Sequence, residues 1–246
     1  MKKINWQVKL GAVLLLLSSI FYVTHYLIFK DAHHIFIYLL GDIAFIPIDV
    51  LIVTIIIHQL LIRREKAVML KKLNMVIGAF YSEVGSRLLK SLKLFDEKKD
   101  YVGKELAVEN TWSNKVFHET AKKIKKYEFS INSKKSDMQD LKIFLTSKRD
   151  FLLRLLENPN LLEHETFTEL LWAVFHLTEE LENRVDFKSL PQSDLNHLSG
   201  DIKRVYALLI YEWLFYMKHL KRDYPYLFSL AVRINPFSES ASPIVV

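Results

Sequence analysis

The distal half of the chain concentrates acidic and imidazole side chains: Glu165, Glu169, His176, Glu179, Glu180, His197, Asp201, Glu212 and His219. Carboxylates and histidines on facing helices can build metal sites with oxygen and nitrogen ligands, or acid–base pairs. The Glu-x-x-His spacing common in such bundle sites is missing: His176 and Glu179 run in the reverse order, while His197 and Asp201 form an i, i+4 pair. At about 100° per residue, Glu165, Glu169, His176 and Glu180 share one helix face, opposite Phe167, Leu170, Val174 and Leu181. An acidic face directly away from an apolar one is normally solvated, which argues against a buried site there. Glu212 differs, because it interrupts an otherwise uncharged run at 205–217 rich in Leu, Tyr, Trp and Phe. That run is too short to cross a bilayer and reads as a core helix, so Glu212 is expected in or at the core with an Arg, His or hydroxyl partner. His219 is seven residues on, and Asp201 lies within about 20° of the same direction. Asp201, Glu212 and His219 are therefore the candidate buried acid or metal cluster, and a paired core-edge carboxylate is the plainer alternative.

Other chemistries are excluded by composition. The 246 residues include no cysteine, which removes disulfides, thiol nucleophiles, cysteine-ligated zinc and iron–sulfur clusters. The six glycines, at 11, 41, 78, 85, 103 and 200, make neither a G-x-G-x-x-G nor a G-x-x-x-x-G-K-[ST] spacing. Neither G-x-S-x-G nor H-E-x-x-H occurs. No cofactor is expected, and any metal would be zinc, iron or manganese held by N and O ligands.

A second set of polar residues lies within apolar sequence. Residues 10–29 are free of formal charge between Lys9 and Lys30. Twenty residues at about 1.5 Å each match a hydrocarbon core of about 30 Å. A signal peptide is the competing reading; the run is long for one, and no A-x-A-like cleavage site follows. A second apolar run, 35–62, ends at Arg63-Arg64. Its helix would span about 42 Å, so the membrane-crossing part is taken as 43–62, extending from 35 if the helix tilts. Lys2, Lys3 and Lys9 precede the hairpin, and Arg63, Arg64, Lys66, Lys71 and Lys72 follow it, while the loop between holds only Lys30 and Asp31. The positive-inside rule places both termini in the cytoplasm. Asp42 falls near the outer boundary. Asp49 lies about 10 Å deeper, two residues after the helix-bending Pro47, and needs a partner there. His25 of the first run is at a similar depth, so a His25–Asp49 contact is predicted.

Beyond residue 62, helical periodicity dominates. Met69, Leu73, Val76, Phe80, Val84, Leu88 and Leu92 form an amphipathic stripe that continues the second run without a breaker. The opposite face carries Gly78, Ser82 and Gly85, small residues that read as an ordinary exposed face or, alternatively, as a self-association seam. Further helices are expected near 111–129, 137–157, 162–184 and 194–222, with Ser136 and Gln139 as a capping box and Asn158-Pro159 as a stop. Tyr224-Pro225 precedes a short helix through Val232. Asn235-Pro236-Phe237 reads as a docking or packed segment at the opening of a mobile tail, 235–246. Charge divides unevenly: residues 63–135 carry a net +9 and 136–246 a net −4. Arg63, Arg64, Lys122, Lys123, Lys125 and Lys126 are the candidate contacts to anionic lipid headgroups. No nucleic-acid-binding motif accompanies the basic excess, so no nucleic acid partner is expected.

These features describe an all-α protein: a transmembrane hairpin over 1–62, a cytosolic helical bundle over 63–234, and a tail. The favoured reading is a non-enzymatic scaffold, oligomerisation or regulatory module in the cell membrane, assembling with copies of itself. The second is an oligomeric channel or transport component with Asp49 near its polar path, and the third a metal-dependent helical-bundle enzyme.

Overall fold

The turn between the two apolar runs is built from its only two charged residues. The computed structural model describes residues 6–159, 161, 164–238 and 240–244. Lys2 and Lys3 of the orientation argument lie outside them, as do Leu162 and Glu163 of an expected helix and Glu239, Val245 and Val246 of the tail. Helix α1 spans Trp6–Phe29 and α2 spans Ala32–Phe80. Lys30 closes α1 in the left-handed region (φ 51°), its N–H donating to Tyr26 O at 2.8 Å. Asp31 then caps α2, its Oδ1 accepting from His34 N at 3.1 Å. Residues 33–42, ahead of the span taken as 43–62, are part of the same continuous helix, and α2 remains helical through Pro47.

The chain divides into two units, Met1–Lys66 and Ala67–Val246. In the first, both helices are long and apolar enough to cross a membrane. None of the α1 side chains is buried, and large apolar residues from Trp6 to Ile62 remain exposed.

In the second unit, the remaining helices are α3 (Ser86–Lys93), α4 (Lys99–Glu105), α5 (Asn114–Lys126), α6 (Met138–Ser147), α7 (Arg149–Leu156), α8 (Glu165–Glu182), α9 (Gln192–Asp223) and α10 (Pro225–Arg233). Regular structure among the described residues is helical apart from one isolated bridge, Asp96 to Ile131. The core helix expected at 205–217 lies within α9, where Val205, Tyr206, Leu209, Ile210, Trp213, Leu214 and Met217 are all buried. Helices α8, α5, α10 and α3 pack around it.

The predicted stripe is carried by the end of α2, a π-helical turn at Tyr81–Gly85, and α3. The extra residue of a π turn changes the phase of the face, so Phe80 and Tyr81 are both buried beside Val84 and Leu88. Of the three small residues of the expected seam, Gly85 is buried, Gly78 is half-buried and Ser82 is exposed. A Cβ on Gly78 would touch Tyr216, and Gly85 is covered by the Tyr81 and Phe80 rings.

Three boundary expectations are corrected. The helix expected over 137–157 is two helices that break at Lys148, whose backbone leaves the helical region (φ −105°, ψ 2°) and whose N–H donates to Leu145 O, while Phe144 O accepts from Ser147 Oγ. Its N-cap is Asp137 rather than Ser136: Asp137 Oδ1 accepts from Gln139 N at 2.7 Å and from Asp140 N at 3.3 Å. The mobile tail does not begin at 235. Asn235 Nδ2 donates to Leu106 O and its Oδ1 accepts from Phe237 N, each at 2.9 Å, while the Phe237 ring packs against Trp213. The Asn-Pro pair signalled a chain break; it carried no information that the amide would satisfy buried backbone groups and seat an aromatic in the core.

Candidate functional site

Helices α8 and α9 are antiparallel neighbours, and their pairing creates a side-chain cluster that neither helix has alone. The start of α8 is capped by His164, whose Nδ1 accepts from Phe167 N at 3.2 Å. Its last carbonyls are closed by Lys142, whose Nζ donates to Glu182 O and Arg184 O. Arg184 then locks the α8–α9 connection: Nε and Nη2 donate to Asp194 at 2.8 and 2.6 Å, and Nη1 donates to Glu180 Oε2 at 2.6 Å. This guanidinium holds both the Glu180 and the Asp194 carboxyls below the usual carboxylate range.

With that register set, His176 and Glu180 of α8 meet His197 and Asp201 of α9. His197 Nε2 lies 3.2 Å from Asp201 Oδ2 and 3.6 Å from Glu180 Oε2. His176 Nε2 lies 3.7 Å from the same Asp201 oxygen and 3.8 Å from Glu180 Oε1. Asp201 is only 3% exposed, and Arg204 donates to its Oδ1 at 3.1 Å. Its Oδ2, also buried, receives no hydrogen bond among the described residues. The two imidazoles are about half exposed and open the cluster to solvent.

Glu212 occupies a different place. It is 2% exposed and lines a cavity of about 380 Å³ together with Asn74, His164, Thr166, His219 and Arg222. Burial pushes its pKa up, opposed by a Thr166 hydrogen bond and the neighbouring His164. His219 Nδ1 lies 2.7 Å from Asp223 Oδ2, yet burial keeps its imidazole below its ordinary pKa. A raised carboxylic acid pKa means that the folded state favours the protonated form. The resulting stabilisation is complete below the ordinary Glu value and is lost as pH rises through the raised one. Glu212→Gln, neutral at every pH, should therefore gain stability relative to wild type as pH rises above the ordinary Glu range. Denaturant unfolding at about pH 5 and about pH 8 checks this, and a pH-independent difference would sink it.

The expected trio therefore does not converge. Asp201 belongs to the histidine cluster, while Glu212, eleven residues along α9 or about 16 Å away, shares its cavity with His219. His176 and Glu180 belong to the face expected to be solvated, yet with the His197–Asp201 pair they carry a signal: His-x-x-x-Glu on one helix and His-x-x-x-Asp on the next, joined by a nine-residue connection. Within the hairpin unit, His25 packs against Phe29 and stacks on His34. It lines a groove of about 530 Å³ with Ser18, Tyr22, Tyr38 and Asp42. Asp49 is not part of that groove, and no His25–Asp49 ion pair is found among the described residues. Arg63, Arg64, Lys122, Lys123, Lys125 and Lys126 are all exposed. Lys123 is paired with Glu105 at 3.2 Å, and Lys125 lies over the Tyr211 ring.

Residues 2–61 match the family model described as "MJ1433, N-terminal helical domain", and residues 69–233 match "Uncharacterized protein MJ1433, C-terminal helical domain". The chain is 48% identical over 230 residues to the uncharacterized protein MJ1433 of Methanocaldococcus jannaschii, covering 93% of this chain and 92% of that protein. No solved structure gives a significant match. With both of its helical regions matched in order and nearly the whole relative covered, this chain belongs to the MJ1433 family.

Proposed function

We propose that this protein is a membrane-anchored regulatory or scaffold module, held in the bilayer by α1 and α2, with the helical bundle in the cytoplasm. The observation that carries the reading is the exposure of the apolar side chains from Trp6 to Ile62. An apolar surface of that extent in water is strongly unfavourable, and a hydrocarbon layer removes the cost. Lys9 on one side and Arg63, Arg64 and Lys66 on the other support cytoplasmic placement of both ends. The exposed lysines of α5 suit contact with anionic headgroups. Self-association belongs to this reading.

The absence of cysteine makes the test simple. Single cysteines introduced as Ala32→Cys at the hairpin turn and Ser238→Cys after the bundle are probed with a membrane-impermeant maleimide. Labelling of position 32 in intact cells, and of position 238 only after permeabilisation, is expected. Release of the protein by alkaline carbonate, or the reverse labelling pattern, would overturn the reading.

A second reading, an oligomeric channel or transport component, is favoured by the groove holding His25 and Asp42, where His25 Nδ1 is buried without a hydrogen-bond partner among the described residues. This moves the expected polar path from Asp49 towards His25 and Asp42. Reconstituted protein should then carry ion flux that His25→Leu and Asp42→Asn reduce. Flux no greater than that of a protein-free bilayer would remove it.

A further inference from the structure

We propose that His176, Glu180, His197 and Asp201 form a binding site for one divalent transition-metal ion of the zinc type. The donor set is two imidazole nitrogens and two carboxylates, a combination suited to zinc and its first-row neighbours. Four ligand atoms on a tetrahedron with bonds of about 2.1 Å lie about 3.4 Å apart. The imidazole–carboxylate separations across this cluster are 3.2 and 3.7 Å to Asp201 Oδ2, and 3.6 and 3.8 Å to the two different oxygens of Glu180, so reorientation of the half-exposed imidazoles and of the Glu180 carboxylate would be needed to bring one donor atom from each residue onto a single ion. The ligand atoms of His176, Glu180 and His197 all lie within 4.8 Å of one another.

The independent observation is Asp201 Oδ2. A carboxylate oxygen buried in a protein normally accepts hydrogen bonds, since leaving it bare costs a substantial desolvation free energy. This one accepts none among the described residues and is aimed between two imidazole Nε2 atoms. A cation at that point would satisfy it. The surroundings have the form of an outer coordination shell: Arg204 orients Asp201 through Oδ1, and Arg184 orients Glu180 through Oε2. The half-exposed histidines provide an entry path, and the rigid α8–α9 pair supplies both halves of the site.

The alternative occupant is a proton on each imidazole, which would make the cluster an ordinary set of imidazolium–carboxylate pairs. Detergent-purified full-length protein, stripped with chelator and desalted, separates the two when titrated with Co²⁺ and then Zn²⁺. One Co²⁺ per chain is expected, with the intense visible absorption of tetrahedral cobalt, displaced by stoichiometric Zn²⁺. His176→Ala and His197→Ala should each weaken binding by more than about tenfold. The double variant should lose binding, while His118→Ala, on the exposed side of α5, should bind as wild type. Because both ligand histidines are half exposed, circular dichroism should show helical content unchanged in the variants. Substoichiometric uptake by wild type, or stoichiometric uptake retained by the double variant, would overturn the proposal. The site lies within the Ala67–Val246 unit, so its loss leaves membrane extraction and cysteine labelling unchanged and distinguishes it from the anchoring reading.

Discussion

Arg184→Ala is expected to lower the unfolding free energy of the bundle by about 2–3 kcal/mol, through loss of charge-assisted hydrogen bonds in a largely buried setting. The guanidinium is only 15% exposed and serves two carboxylates at once, Asp194 through a two-pronged contact and Glu180 through Nη1. Truncation leaves both acids without their cation beside a third, Asp201, so mutual repulsion adds to the lost bonds. Arg184→Lys should recover only part of the stability, because an ammonium cannot reproduce the planar fork. Chemical denaturation of the detergent-solubilised protein measures both variants. Wild-type stability in Arg184→Ala would show that the connection between α8 and α9 is set by packing alone. The same variant should also weaken metal uptake, since Glu180 loses the group that orients it.

Gly85→Ala is the second large effect, and here two opposing terms decide the sign. Helix propensity alone favours alanine by about 1 kcal/mol. The new Cβ, however, would sit 2.6 Å from Tyr81 Cδ1 and 2.9 Å from Phe80 Cε1. Neither ring is free to yield. Tyr81 donates its hydroxyl to Leu209 O at 2.9 Å and stacks on Tyr216, while Phe80 packs edge-on against Phe167. Overpacking of a fixed core costs about 1–3 kcal/mol, which after the propensity gain leaves a net loss of up to about 2 kcal/mol. A double-mutant cycle with Tyr81→Leu isolates the cause: with the ring removed, alanine at 85 should become neutral or stabilising. Alanine stabilising the wild-type background would mean that the π turn relaxes to an ordinary helix without loss.

Much of the architecture is written in local patterns. Uncharged runs of sufficient length, the stripe from Leu73 to Leu92, the core segment at 205–217 and the stops at Pro159 and Pro225 all reflect neighbouring residues along one helix. The expectation of a buried Glu212 came from the same kind of evidence, one charge within an apolar segment, and the burial is present. Shorter-range features were harder to read. The seven-residue α4 is too brief to show a period, and the choice between Ser136 and Asp137 as cap depends on which oxygen reaches the free N–H groups.

What depends on two helices meeting was not legible. Asp201 and Glu212 share a face of α9 on a helical wheel, but distance along the axis separates them, and a wheel discards axial distance. The acidic face of α8 pointed away from its strongest apolar stripe and was therefore read as solvated. In the fold its edge lies against α9, where His176 and Glu180 find His197 and Asp201. Gly78 and Gly85 likewise lie against rings contributed by their own fold. The sequence by itself determined the all-helical class, the two long apolar helices and the residues of the central core, because hydrophobic periodicity is a property of each segment. Tertiary structure alone decided which polar residues act together, because their convergence depends on the register and direction in which separate helices pack.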